Sequence, residues 1–155
     1  MKFTKMHGLG NDYLYVYGDV PENIAELSQK LSERHFGAGS DGIIYISKSD
    51  IADFKMRIFN ADGSEAKMCG NGIRCVGKFV YDKGYTDKKF ISIETLSGVK
   101  YLTLQVAGGK VKTVAVDMGQ AKAEKPINLT VDGETVSLIP VSVGNPHAVI
   151  FVDDI

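Results

Sequence analysis

The stretch from 71 to 83, NGIRCVGKFVYDK, constrains this chain more than any other. Arg74, Lys78 and Asp82 are four apart, so on a helix they form one narrow polar stripe. Ile73, Cys75, Val76, Phe79, Val80 and Tyr81 occupy most of the remaining circumference. A helix apolar around most of its girth has to be buried, so this one belongs at the centre of a domain. Gly84 supplies its stop.

The segments available to cover it are mostly β. Residues 3–6 and 13–17 read as short strands, with a turn-rich loop at 8–12 between them. Pro21 opens a second helix, which carries Ile24, Leu27 and Leu31 on one face and should stop in a left-handed cap near Gly37. Residues 37–42 are then a loop, and 43–47 a strand. In 53–60, Phe54, Met56 and Ile58 alternate with Lys55 and Arg57, the period of a half-buried strand, before a turn at Asn60-Ala61-Asp62-Gly63. Residues 90–96, 99–106 and 110–117 form a meander, with turns at Ser97-Gly98 and Gly108-Gly109. Strands at 129–131, 136–143 and 148–152 follow. About nine strands and two helices predict an α+β fold: a strongly curved, mostly antiparallel mixed sheet wrapped around a central helix. No Pro/Ser-rich linker, low-complexity tract or repeat interrupts the 155 residues, so 1–155 reads as one domain, long enough to bury a real core.

Charge excludes some functions. The 18 basic and 19 acidic side chains nearly cancel, and Lys88-Lys89 is the longest basic run. Neither nucleic acid nor an anionic membrane is an expected partner. The first residues, MKFTK, lack the apolar stretch of a signal peptide, and no apolar run approaches the ~20 residues of a membrane span, so the expected compartment is the cytoplasm. Cys69 and Cys75 are six apart, a rise of about 9 Å along a helix. A disulfide needs Cα atoms within about 7 Å, so these two should not bridge. Without ligand-spaced histidines they also make a poor zinc site, and no metal is expected.

Cys69 precedes the helix start, in Met68-Cys69-Gly70-Asn71-Gly72. The first helical turn has amide N–H groups without intrahelical partners, and the macrodipole adds partial positive charge there. Both favour a thiolate at Cys69. Gly70 and Gly72 let the backbone approach a bound anion closely, and Asn71 offers an amide to a carboxylate. The turn therefore suits an acid/base thiol beside an anion-binding nest, although a cysteine can equally be a small buried hydrophobe. Cys75, on the helix's apolar side, has only that second role. His147, in Gly144-Asn145-Pro146-His147, is either a hydrogen-bonded loop histidine or a proton partner for Cys69. Asn11 and Asn60 are either turn formers or ligand-binding amides. His7 and His35 have no neighbours that argue for chemistry.

Four stretches together resemble the diaminopimelate epimerase family: KMHGLGND at 5–12, FNADGSE at 59–65, MCGNGIRC at 68–75 and GNPH at 144–147. Their order and spacing fit that family across essentially the whole chain. Proline racemases are similar in fold and in the Met-Cys-Gly start, but typically continue with His-Gly where this chain has Asn71-Gly72. The resemblance implies a cofactor-independent isomerase that inverts one stereocentre of LL-2,6-diaminopimelate to give the meso isomer, a step feeding lysine and peptidoglycan synthesis. It implies that Cys69 is one of two catalytic cysteines on opposite faces of the substrate, tuned by His147. Asn11, Asn60 and Asn145 match substrate-binding positions, and Gly70 and Asn71 match the turn that holds the carboxylate of the reacting centre. Gly42 stands where some members have glutamine.

The family is about twice this length and is built from two pseudo-symmetric halves. The other half carries the second cysteine and a Glu-Arg substrate grip. This chain therefore reads as the N-terminal domain, without the C-terminal one. Cys75 does not substitute, lying about 9 Å along the same helix and roughly 240° around it. The isolated chain is expected to have negligible turnover. The alternative is a catalytically inert binding or interaction module, its partner being a C-terminal epimerase domain or a second copy of the chain.

Overall fold

The computed structural model describes residues 1–143 and 146–152. Its contacts divide the chain into two compact units, Met1–Asp117 and Met118–Ile155.

The first unit holds β1 (Thr4–Gly8), β2 (Asn11–Tyr17), α1 (Ile24–Ser32), β3 (Gly42–Ser47), β4 (Phe54–Asn60), β5 (Glu65–Ala66), α2 (Gly70–Asp82), β6 (Phe90–Thr95), β7 (Gly98–Ala107) and β8 (Lys110–Asp117). Its sheet runs β1-β2-β3-β4-β6-β7-β8. The β2/β3 and β4/β6 pairs are parallel and the rest antiparallel. Only Phe54↔Ile93 and Lys55↔Glu94 join β4 to β6, while β5 pairs with β4 at Ile58 and Phe59. So short a joint lets the sheet curl, and α2 packs against β1, β2, β7 and β8. This is the α+β arrangement that the apolar girth of α2 demands.

Strands β2 and β3 are buried without alternation because a helix covers each face. Leu14, Val16, Ile43, Tyr45 and Phe59 face Ile24, Leu27 and Leu31 of α1. Tyr15 and Ile44, between them in sequence, face the start of α2: the Tyr15 hydroxyl donates to Gly72 O at 3.3 Å. A Cβ on Gly72 would lie 2.7 Å from Ile44 Cδ1. Within α2, Ile73, Val76, Phe79 and Val80 are buried. A Cβ on Gly77 would press on Leu102 and Leu104 of β7, at 2.9 and 3.0 Å.

Three local expectations need correction. The loop at 8–12 is a two-residue hairpin: Gly8 pairs with Asn11 and only Leu9-Gly10 turn, both at positive φ. The turn after β6 is Leu96-Ser97, and Gly98 already pairs with Thr95. Gly37 is not a left-handed cap. Helix α1 leaves helical geometry at Glu33, and a Cβ on Gly37 would sit 2.4 Å from Lys30 O, so the glycine serves close backbone approach.

The second unit contains β9 (Lys122–Ala123), β10 (Ile127–Val131), β11 (Glu134–Ser142) and β12 (Pro146–Val149). Strands β9, β10 and β12 all pair with β11, and β8 is the last strand of the first sheet. The division after Asp117 therefore falls where one sheet ends and another begins, although the sequence marks no linker there. Among the described residues, no helix is long and apolar enough to cross a membrane.

Candidate active site

Helix α2 begins immediately after Cys69, whose backbone is still extended at φ −140°, ψ 109°. Cys69 is thus the N-cap, and its sulfur accepts the Gly72 N–H at 3.3 Å. One of the helix's unpartnered donors is spent on the sulfur, the position expected from the sequence. The side chain is half-buried and the thiol is free.

A second neighbour comes from β2. The Cys69 thiol donates to Asn11 Oδ1 at 3.2 Å. Asn11 is oriented by its other side: Nδ2 donates to Asp41 Oδ2 at 2.7 Å. An ionised carboxylate only accepts, so the amino group faces Asp41 and the carbonyl oxygen is left for the sulfur. The Asp12 N–H also donates to Asp41 Oδ2, at 3.0 Å. Arg34 Nη2 bridges Asp12 Oδ1 at 3.0 Å and Asp41 Oδ1 at 2.8 Å. The Arg34 guanidinium holds the Asp12 carboxyl below its usual range.

Tyr13, two residues after Asn11 on β2, interacts with both Asn11 and Cys69. Burial, with the charge of Cys69 second, pushes its phenol up to about 12, so it remains an O–H donor at neutral pH. The sequence reading missed Tyr13 and Asp41. Tyr13 was accessible through the two-residue period that puts it on the same strand face as Asn11. Asp41 had no such signal, being 30 residues from its amide partner.

The hairpin reaches the helix start through glycine. A Cβ on Gly8 would lie 3.0 Å from Asn71 O, which brings β1 against the turn at Gly70 and Asn71. Asn71 Oδ1 accepts from Arg74 Nη2 at 2.6 Å. Asn60, closing β4, donates from Nδ2 to Ser64 Oγ at 3.0 Å. The following residue, Ala61, donates its N–H to Asp41 O at 2.9 Å. Gly42 is fixed sterically: a Cβ there would stand 2.1 Å from Phe59 O, so this backbone admits no side chain. A cavity of about 510 Å³ lined by Lys5, Met6, His7, Gly10, Asp12 and Arg34 adjoins the same hairpin, and its lining does not include Cys69.

The structure thus brings Cys69, Asn11, Gly70 and Asn71 together; Asn60 itself bonds Ser64, and it is the next residue, Ala61, that joins the turn to Asp41. His147 lies in the second unit, exposed on β12 opposite Val141. Asn145 lies outside the described residues. Cys75 is buried deeper on α2, and burial pushes its thiol up. No cluster of His, Cys, Asp and Glu suited to a metal ion occurs among the described residues.

A family model described as diaminopimelate epimerase matches residues 3–124. The diaminopimelate epimerase of Acetivibrio thermocellus is 52% identical over 170 aligned residues, covering 100% of this chain and 61% of that protein. The one from Methanococcus maripaludis strain C5 is 54% identical, with the same coverage of 100% and 61%. The chain therefore spans about three-fifths of the length of the curated relatives it matches. Among solved structures, a hydroxyproline epimerase from Agrobacterium vitis superposes with a TM-score of 0.75 at 16% identity, over 96% of this chain and 50% of that one. A probable proline racemase from Agrobacterium radiobacter K84 gives 0.74 at 17%, over 96% and 51%. These two share the fold.

Proposed function

The chain belongs to the diaminopimelate epimerase family, and from that membership we propose that Cys69 is one of two sulfur acid–bases inverting a stereocentre of 2,6-diaminopimelate. The observation that carries the proposal is the double partnership of the sulfur. Gly72 N–H, at 3.3 Å, is a partner for the thiolate; Asn11 Oδ1, at 3.2 Å, is a partner for the thiol. A group that takes a proton in one direction of a reversible reaction and returns it in the other needs both.

In the reaction proposed, one thiolate takes the Cα proton, becoming S–H, and the C–H electron pair remains on Cα. The other thiol then protonates the opposite face. An amino-acid Cα–H is a weak acid, so the developing charge has to be met by fixed donors. Gly70 and Asn71, on the first turn of α2, are proposed to hold the adjacent carboxylate, with Asn11, Asn60 and Asn145 binding the rest of the substrate and His147 tuning the cysteine. The second sulfur is assigned to a further domain, in keeping with the greater length of the relatives. The step would feed lysine and peptidoglycan synthesis, needs no cofactor, and the isolated chain is expected to turn over negligibly.

Hydrogen exchange at Cα of diaminopimelate in deuterated water, followed by NMR, tests this. One-base exchange, without inversion, should be present with Cys75→Ala and abolished by Cys69→Ala. Exchange that survives Cys69→Ala removes the sulfur from the mechanism, and rapid racemisation by the purified monomer contradicts the two-domain division of labour.

A second reading, an inert interaction module, is favoured by the exposure of Leu9 at 89% and Phe36 at 97%. Two copies could pair and present Cys69 from each side. Absence of both exchange and ligand binding would support the module, and a strictly monomeric elution across concentrations would end the pairing variant.

A further inference from the structure

We infer that Asp41 is a positioning residue, whose carboxylate holds the Asn11 amide with its oxygen, not its amino group, toward the Cys69 sulfur. The consequence for proton transfer rests on the reading of Cys69 as an acid–base; the orientation itself does not.

Asp41 is built for this task. Its Oδ2 accepts from Asn11 Nδ2 at 2.7 Å and from the Asp12 N–H at 3.0 Å. Its Oδ1 accepts from Arg34 Nη2 at 2.8 Å. Its own N–H donates to Asp12 O at 2.7 Å, and its O accepts from Ala61 N–H at 2.9 Å. Main chain and side chain are both fixed: the carboxylate touches the hairpin and Arg34, and the main-chain carbonyl meets the turn after β4. Rotating the Asn11 amide by half a turn would set its oxygen against a carboxylate oxygen at 2.7 Å and aim two N–H donors at the sulfur. Asp41 forbids that rotamer without touching sulfur.

An oxygen facing the sulfur accepts S–H and favours keeping the proton; an amino group would favour releasing it. Gly72 N–H supplies the opposite bias. Asp41 therefore sets the balance between the two protonation states from one residue away. Tyr13 and Tyr15 on β2 and Cys75 on α2 also act electrostatically with Cys69, and Asp41 reaches Tyr13 as well. Charge loss at Asp41 has to be separated from loss of orientation.

The separation uses a single-thiol chain carrying Cys75→Ala. The rate of alkylation by iodoacetamide is measured against pH for the parent, Asp41→Asn, Asp41→Ala, and both substitutions combined with Asn11→Ala. Asp41→Asn loses the charge and keeps an acceptor oxygen for Asn11. Asp41→Ala loses both. The midpoint for Asp41→Ala should fall about one pH unit, a tenfold change, below that of Asp41→Asn. With Asn11→Ala the two should coincide. Equal midpoints in the presence of Asn11, or an undiminished gap in its absence, overturn the inference. Should Asp41→Ala fail to fold, the unsubstituted chain decides by NMR. Nuclear Overhauser contacts should link the Asn11 side-chain amino protons to the Asp12 amide proton, since both meet the same carboxylate oxygen. Contacts from those amino protons to the Cys69 Hβ atoms would overturn it. Neither experiment uses substrate, so either can fail while Cα exchange still depends on Cys69, and the reverse.

Discussion

The N-cap of α2 and its middle each hold a cysteine, and the two surroundings are opposites. Cys69 is half-buried, extended in backbone, and flanked by a donor and an acceptor. Cys75 is helical, 7% exposed, and packed beside Tyr15 on the covered face. The residue type is the same and the separation is six positions. The difference comes from the helix terminus, where the backbone has hydrogen-bonding capacity left over, against the interior, where it has none. Reactivity follows from where the helix starts.

Alkylation at neutral pH should expose the largest contrast. Iodoacetamide meets Cys69 directly, whereas Cys75 waits for α2 to open locally. An opening that costs about 3 kcal/mol slows the reaction roughly 150-fold. Mass spectrometry of tryptic peptides over a time course reads both sites at once. Similar rates would mean that the middle of α2 is far looser than its burial suggests.

Exchanging sulfur for oxygen at the two sites sharpens the contrast in stability. Serine is a favoured N-cap, so Cys69→Ser keeps the bond from Gly72 N–H and should change stability by less than about 0.5 kcal/mol. Cys75→Ser puts a hydroxyl among apolar side chains and should cost about 1–2 kcal/mol. Chemical denaturation of the two variants provides the measurement; a costly Cys69→Ser would deny the capping role. Adding a methyl group makes a matched pair as well. Gly72→Ala crowds Ile44 Cδ1 at 2.7 Å and touches the sulfur at 3.4 Å. Gly77→Ala crowds only Leu102 and Leu104. Each should lose about 1 kcal/mol net, overpacking outweighing the gain in helix propensity. Only Gly72→Ala should change the alkylation rate of Cys69.

Much of α2 was legible beforehand because its pattern is long and periodic. The expected 71–83 became Gly70–Asp82, and β8 matched its expected bounds at Lys110–Asp117. Strands β5 and β9 were not legible, because two residues carry no period. The turn that isolates Cys69 could be read locally, since capping depends on near neighbours. Its partners could not: Asn11 is 58 residues away, and Asp41 reaches the sulfur only through Asn11. Asn145 drew its role from family resemblance alone, and His147 had two local readings, loop histidine or proton partner, between which only that resemblance chose. In the second unit, Ile127, Leu129 and Val131 alternate as a strand should, yet remain 45%, 46% and 52% exposed. The period told which face they share and could not tell what covers it.

The smallest expected effect concerns alkaline stability, and it separates the two regions by pH. Burial pushes up the Cys75 thiol in the middle of α2 and the Tyr15 phenol of β2 beside it, and lifts Tyr13, beside Cys69, to about 12. Each keeps its proton to higher pH in the folded chain than in the unfolded one. The unfolded chain therefore ionises first as pH rises, and equilibrium moves toward it. The stabilisation is complete below the ordinary thiol and phenol ranges and is lost as pH climbs through the folded values. Thermal midpoints should begin to fall near pH 8.5, about the ordinary thiol value. Cys75→Ala should make the first part of that decline shallower. Tyr13→Phe should leave the first part alone and flatten the decline above about pH 10, where an unburied phenol ionises. Melting curves at half-unit steps from pH 7 to 11.5 would follow both limbs. If Tyr13→Phe left both limbs unchanged, its phenol would be titrating as it does in the unfolded chain, and its place against the sulfur would have to be abandoned.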